Sequence, residues 1–156
     1  MKRISQYLAI LVLILGVIGV VVGSVFIAQA VEKDNWMREA MRVEKVTLGL
    51  SDEQIAEGQV IDSLEEAQIA GDTIREHRLN IAPTYKDLLG EGRYDPANSE
   101  HLTYAQALNM ENYLYLAVLG FGVTTVILGT GAFMIITGFA LGVTGIVLLR
   151  LTREVF

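Results

Sequence analysis

The stretch from Tyr113 to Leu149 reads YLYLAVLGFGVTTVILGTGAFMIITGFALGVTGIVLL, and no acid, base or histidine interrupts the chain between Glu111 and Arg150. A second such stretch, LAILVLILGVIGVVVGSVFIA from Leu8 to Ala28, lies inside the uncharged run between Arg3 and Glu32. A helix needs roughly 20 apolar residues to cross the hydrocarbon core, where an ionised side chain finds no water. Both stretches meet that length. The chain therefore reads as an all-α membrane protein, with two transmembrane helices and a small, mostly helical extracytoplasmic domain between them. The divisions are an N-terminus over 1–7, a first span over 8–30, the domain over 31–112, a long helix ending as the second span over 113–149, and a C-terminus over 150–156.

The second stretch is longer than one crossing needs. As one straight helix, about 38 residues rise about 57 Å, whereas two spans and a turn need at least about 38 to 40 residues. A single span is favoured because a third crossing would carry Arg150 and Arg153 outward, and because no proline or charge marks a turn. On this reading the helix starts near Ser99, packs in the domain through Tyr104, Leu108 and Leu114, and enters the membrane between Gly120 and Thr125. A tight hairpin is the alternative.

Charge sets the orientation. Lys2 and Arg3 flank the first span, and Arg150 and Arg153 flank the second, while residues 31–112 carry 17 acids against 8 bases. Basic flanks stay cytoplasmic, so both termini are expected inside and the acidic middle outside the plasma membrane of a bacterium. An acidic segment without clustered Lys and Arg argues against nucleic acid as a partner. With no cysteine, neither a disulfide nor a thiolate metal site is available. Lys2, Arg3, the apolar run and Ala28-Gln29-Ala30 imitate a cleavable signal, but an apolar core of about 21 residues exceeds the usual 7 to 15. The segment is read as an uncleaved signal anchor, with cleavage as the alternative.

Glycines mark the faces on which the spans should pack. Gly16, Gly19 and Gly23 lie in the first, and Gly131, Gly138, Gly142 and Gly145 in the second, with 131, 138 and 145 recurring every seven residues. Helices in lipid gain little from hydrophobicity, so small residues matter by letting backbones touch. The spacing leaves open whether the contact is within one chain, between copies or with another subunit. An isolated glycine in a membrane helix carries no such meaning. Thr124, Thr125, Thr130, Thr137 and Thr144 can each bond their own helix carbonyls, which makes a conduction path the weaker reading.

In the domain, Ser63 and Glu66 suggest a capping box opening a helix with a stripe of Leu64, Ala67, Ile69, Ala70 and Ile74. Pro83 should begin a short helix closed by Gly90, residues 90–98 read as a loop, and Asn98 or Ser99 should cap the final helix. Val46, Leu48, Val60 and Ile61 allow a minor strand pair. Trp36 suits either the domain core or the membrane interface.

Chemistry is sparse. His77 and His101 are the only histidines, with no HExxH or calcium-loop spacing, no GxSxG, no P-loop and no dinucleotide turn. No catalytic, cofactor or metal residue is assigned. Asp52, Glu53, Glu57, Asp62, Glu65 and Glu66 read as a solvated acidic face before a cation site.

Certain runs carry a resemblance. Gly58-Gln59-Val60, Ala67-Gln68-Ile69-Ala70-Gly71-Asp72-Thr73-Ile74 followed by His77, Thr84-Tyr85-Lys86-Asp87-Leu88, Asp95-Pro96, and Leu114 through Val123 together resemble small bacterial two-span membrane proteins. These carry the automatic label "aromatic ring-opening dioxygenase LigA". The resemblance implies the membrane architecture and a bacterial cell envelope. The label does not transfer, since such an oxygenase needs an iron held by histidine and carboxylate ligands with an open position.

Three functions follow as expectations. The first is a non-catalytic structural or accessory subunit of a membrane assembly, its partners being the bilayer and other membrane subunits or itself. The second is an extracytoplasmic sensing module in which His77, Tyr85, Tyr94 and His101 line a cleft. A metal-dependent enzyme is the least supported.

Overall fold

Asn98 starts the longest element of the molecule: its side-chain Oδ1 accepts from the backbone N–H groups of Glu100 and His101 at 2.9 and 3.4 Å. From there α5 runs unbroken over Ser99–Glu154 in the computed structural model, which describes residues 2–154. No hairpin interrupts it. The elements before it are α1 (Lys2–Glu44), α2 (Asp52–Ala56), α3 (Leu64–Ile81) and α4 (Tyr85–Leu89). The fold is all-helical over the described residues, and α1 and α5 are both long and apolar enough to cross a membrane.

The expected strand pair is absent among the described residues. Val46 and Ile61 are joined by one backbone bond of 2.8 Å from the Ile61 N–H to the Val46 carbonyl, and Gly49, at φ 83°, turns the chain before a ladder can extend. Ser51 instead caps α2 in a full capping box with Gln54. At α3 only half of the expected box forms. Ser63 accepts from the Glu66 N–H, while the Glu66 carboxylate reaches back to the Asp62 N–H at 3.0 Å. Pro83 lies before the cap of α4, which is Thr84, whose hydroxyl accepts from the Asp87 N–H.

The chain divides into two compact units, residues 34–122 and the pair of segments 1–33 and 123–156. In the first, Ala67, Ala70, Gly71 and Ile74 of α3 recur at helical spacing and are buried. Small side chains let α3 approach α5 closely: a Cβ at Gly71 would stand 3.2 Å from the Tyr115 ring and 3.5 Å from the Leu114 Cβ. Ile61 and Leu114 complete this core, with Met41, Val46, Leu48 and Val118 packed around it. Leu64 and Ile69, expected inside, are exposed, because the small-residue face rotates the contact away from them. Trp36 is 66% exposed and belongs to no core.

Two charged groups tie the C-terminal turns of α1 to the start of α3. Arg38 donates to Asp34 at 2.8 Å and to the Asp62 carbonyl at 2.9 Å, and Arg42 donates to the Asp62 carboxylate at 2.6 Å. α4 ends at Gly90, whose φ of 55° and ψ of −121° suit glycine alone. Gly90→Ala should lower the stability of this unit by about 1 to 3 kcal/mol through that strain. Thermal unfolding followed by circular dichroism measures it.

In the second unit α1 and α5 pack antiparallel. As residue numbers rise along α1 through Leu13, Gly16, Gly19, Gly23 and Ile27, their neighbours on α5 fall through Gly145, Gly142, Gly138 and Gly131. Ala9, Ala30 and Thr124 are also buried here. The Thr130 and Thr144 hydroxyls donate to the Val126 and Ala140 carbonyls of their own helix, both at 2.8 Å.

Candidate functional site

The glycine seam is the tightest contact of the paired helices. A Cβ at Gly16 would stand 2.6 Å from the Gly142 nitrogen, and one at Gly138 would stand 2.7 Å from both the Gly16 carbonyl and the Val20 nitrogen. At Gly23 it would meet the Gly131 carbonyl at 2.6 Å, at Gly131 the Gly23 carbonyl at 2.8 Å, and at Gly145 the Leu13 nitrogen at 2.9 Å. Gly19 is slightly looser, 3.2 Å from the Gly138 Cα. A side chain at any of these points meets rigid backbone. Gly142 differs: it offers its backbone to Gly16, but its own Cβ direction opens onto space.

The largest buried charge network among the described side chains joins α3 to α5. Arg78 donates to the Glu111 carboxylate at 2.6 and 3.4 Å and to the Tyr104 hydroxyl at 2.6 Å, with the Arg78 and Glu111 side chains only 11% and 9% exposed. The bond to Glu111 raises the Arg78 pKa above the ordinary arginine value, against the lowering effect of burial. Arg78 is thus a permanent cation, and the arrangement is a strut between the two helices.

His101 is also structural. The Asp95 N–H donates to its Nδ1 at 3.0 Å, so the ring proton sits on Nε2, which lies 3.2 Å from the Leu88 carbonyl and donates to it. Tyr94 stacks on the imidazole with centroids 5.8 Å apart. The histidine pins the 90–98 loop to the first turn of α5. His101→Ala removes both bonds, worth about 1 kcal/mol net, and should speed tryptic cleavage after Arg93 roughly fivefold. Limited proteolysis in detergent reads this out.

The four residues expected to line a cleft do not converge as a set. Tyr94 and His101 form the loop clasp, Tyr85 is half-exposed with its ring 6.1 Å from that of Tyr104, and His77 is exposed on α3. Concave surfaces of the 34–122 unit lie elsewhere, among them a small one beside Asn80, Ser99 and Glu100. One is an open cleft of about 840 Å³ with Arg42, Lys45, Gln59, Asp62 and Glu66 on its walls. Another is an apolar groove of about 570 Å³ between α1 and α5, lined by Ala40, Met41, Val46, Met110, Tyr113, Leu114 and Ala117, with Glu44 its sole carboxylate. No group of three or more potential metal ligands converges among the described residues.

Sequence reasoning missed the strut and the groove. Arg78 and Glu111 are separated by 33 positions and lie on different helices, so no local motif marks them. The groove carried a faint signal, Met110, Tyr113, Leu114 and Ala117 at helical spacing, which also fits a buried stripe. Comparison with protein-family models, with curated proteins and with solved structures returns no match.

Proposed function

We propose that this chain is a non-catalytic structural or accessory subunit of a bacterial membrane assembly. Both termini lie in the cytoplasm and the 34–122 unit lies outside it, in keeping with basic flanks around an acidic middle. The earlier resemblance to small bacterial two-span proteins agrees with this setting. The observation that carries the reading is how the polar side chains are used. Arg38, Arg42, Arg78 and His101 each hold one helix or loop to another, while Trp36, Val43, Met110 and Tyr113 remain exposed. Exposed aromatic and methionine side chains of this kind mark protein contacts.

The glycine seam refines the same reading. Its closest contacts lie within the chain, so a partner is met through other surfaces. Native purification in mild detergent with mass spectrometry of the intact complex tests the proposal. A second polypeptide at fixed stoichiometry is the expected result. A chain that runs as a monomer without any stoichiometric companion overturns it.

A further inference from the structure

We infer that the bond between Ala30 and Val31 is a concealed processing site for a membrane-bound endopeptidase of the signal-cleaving class, held closed by the pairing of α1 with α5. The inference rests on the topology proposed above, with this end of α1 outside the cytoplasm. The chemistry is a hydrolysis. The amide bond breaks, water supplies the hydroxyl that completes the Ala30 carboxyl group, and its remaining hydrogen goes to the Val31 amine. Ala28-Gln29-Ala30 places small residues at the first and third positions before that bond, after the apolar run from Leu8. Glu32 and Lys33 are the first charges past the run, so the bond lies at its aqueous end.

Local geometry explains why the triplet is silent. An endopeptidase reads its substrate as an extended strand, in which residues two apart point to one side and Ala28 and Ala30 would enter neighbouring pockets. Here α1 runs unbroken over Lys2–Glu44, and on a helix residues two apart do not share a face. Ala28 and Gln29 are exposed while Ala30 is 1% exposed, so the residue beside the bond is the one turned inward. Three positions earlier Ile27 packs on α5: a Cβ at Gly131 would stand 2.8 Å from both the Ile27 Cγ1 and the Gly23 carbonyl. Unwinding residues 28–30 for a protease therefore takes Ala30 out of burial and Ile27 off α5.

The test uses the full chain with a C-terminal tag, expressed in a bacterial host and extracted in mild detergent. Intact mass and N-terminal sequencing give the fraction of chains that begin at Val31, which should be a trace in the parent. Gly131→Leu drives a side chain against Ile27 and the Gly23 carbonyl, and should raise that fraction by about tenfold or more. Ala28→Leu changes an exposed position and removes a small residue that the peptidase reads; added to Gly131→Leu, it should return the fraction to the parental level. Gly142→Ala, whose Cβ meets no atom within 4 Å, should leave that level unchanged. The chain has no cysteine and Arg93 is exposed, so Arg93→Cys labelled by an impermeant maleimide in spheroplasts reports the side of the 34–122 unit separately.

A parent chain that already begins at Val31 overturns the inference. So does a Gly131→Leu chain left whole while Arg93→Cys is labelled, which leaves the topology standing. Cutting that persists with Ala28→Leu marks general degradation, and cutting of Gly142→Ala as full as that of Gly131→Leu removes the role of the seam; either result overturns it too. An unlabelled Arg93→Cys overturns the topology itself, and the inference with it.

Discussion

Arg78→Ala should destabilise the 34–122 unit by about 3 to 5 kcal/mol, the cost of leaving a buried carboxylate without its cation. Glu111 is 9% exposed, and Arg78 supplies both of its intramolecular hydrogen bonds as well as the one to the Tyr104 hydroxyl. Water does not replace those donors without opening the contact between α3 and α5. The double variant Arg78→Met with Glu111→Leu removes both charges together and should recover part of the loss, the remainder being the buried Tyr104 hydroxyl left without its donor. Denaturant unfolding in detergent, followed by near-ultraviolet dichroism of the Tyr104 region, measures both. A double-mutant cycle gives the coupling energy. A single variant as stable as the parent would show that the pair contributes nothing net.

The second large effect is expected at Gly138. Gly138→Ala places a methyl group 2.7 Å from the Gly16 carbonyl and the Val20 nitrogen, so the helices must part along the seam. Overpacking of this kind costs about 1 to 3 kcal/mol, and Gly138→Leu should cost more. Gly142→Ala is the internal control. It has the same residue type, the same span and the same four-residue spacing, yet its Cβ meets no atom within 4 Å. Its stability should stay within about 0.5 kcal/mol of the parent. Equal destabilisation by the two substitutions would contradict an intramolecular seam with this register. Thermal unfolding in micelles separates the cases.

This contrast shows how far the residues alone could reach. The charge-free runs identify two helices able to span a membrane, because the cost of burying ions in lipid is a property of single side chains. The ends of α3, α4 and α5 were legible for the same local reason: Ser63, Gly90 and Asn98 satisfy or terminate the turns beside them. Seven glycines stood out as contact residues, but their pairing did not. Gly16 meets Gly138 and Gly142 only once the register between two distant helices is set, and spacing within each helix says nothing about that register. Gly138 and Gly142 therefore look equivalent in sequence and differ in space.

The polar groups were harder to read. Arg78 and Glu111 resemble ordinary solvated charges on helix faces, and burial by a distant element is what gives them a role. His101 sits among Asp95, Glu100 and Tyr94, neighbours that equally suit a ligand set. Its two backbone partners, at Asp95 and Leu88, decide the matter. Ile69 misled for a packing reason: a wide apolar stripe looks better than the narrow Ala67, Ala70, Gly71 face, although only the narrow face admits a close helix.

The seam also sets an order of events during synthesis. More than a hundred residues separate Gly23 from Gly131, so the ribosome, adding about 5 to 20 residues per second, leaves α1 without α5 for about 5 to 20 seconds. Throughout that interval its glycine edge is bare. A nascent helix in that condition is open to pairing with any passing glycine-faced neighbour, and the arrival of α5 closes the window. The distance along the chain between its two halves thus sets how long that edge waits for its partner.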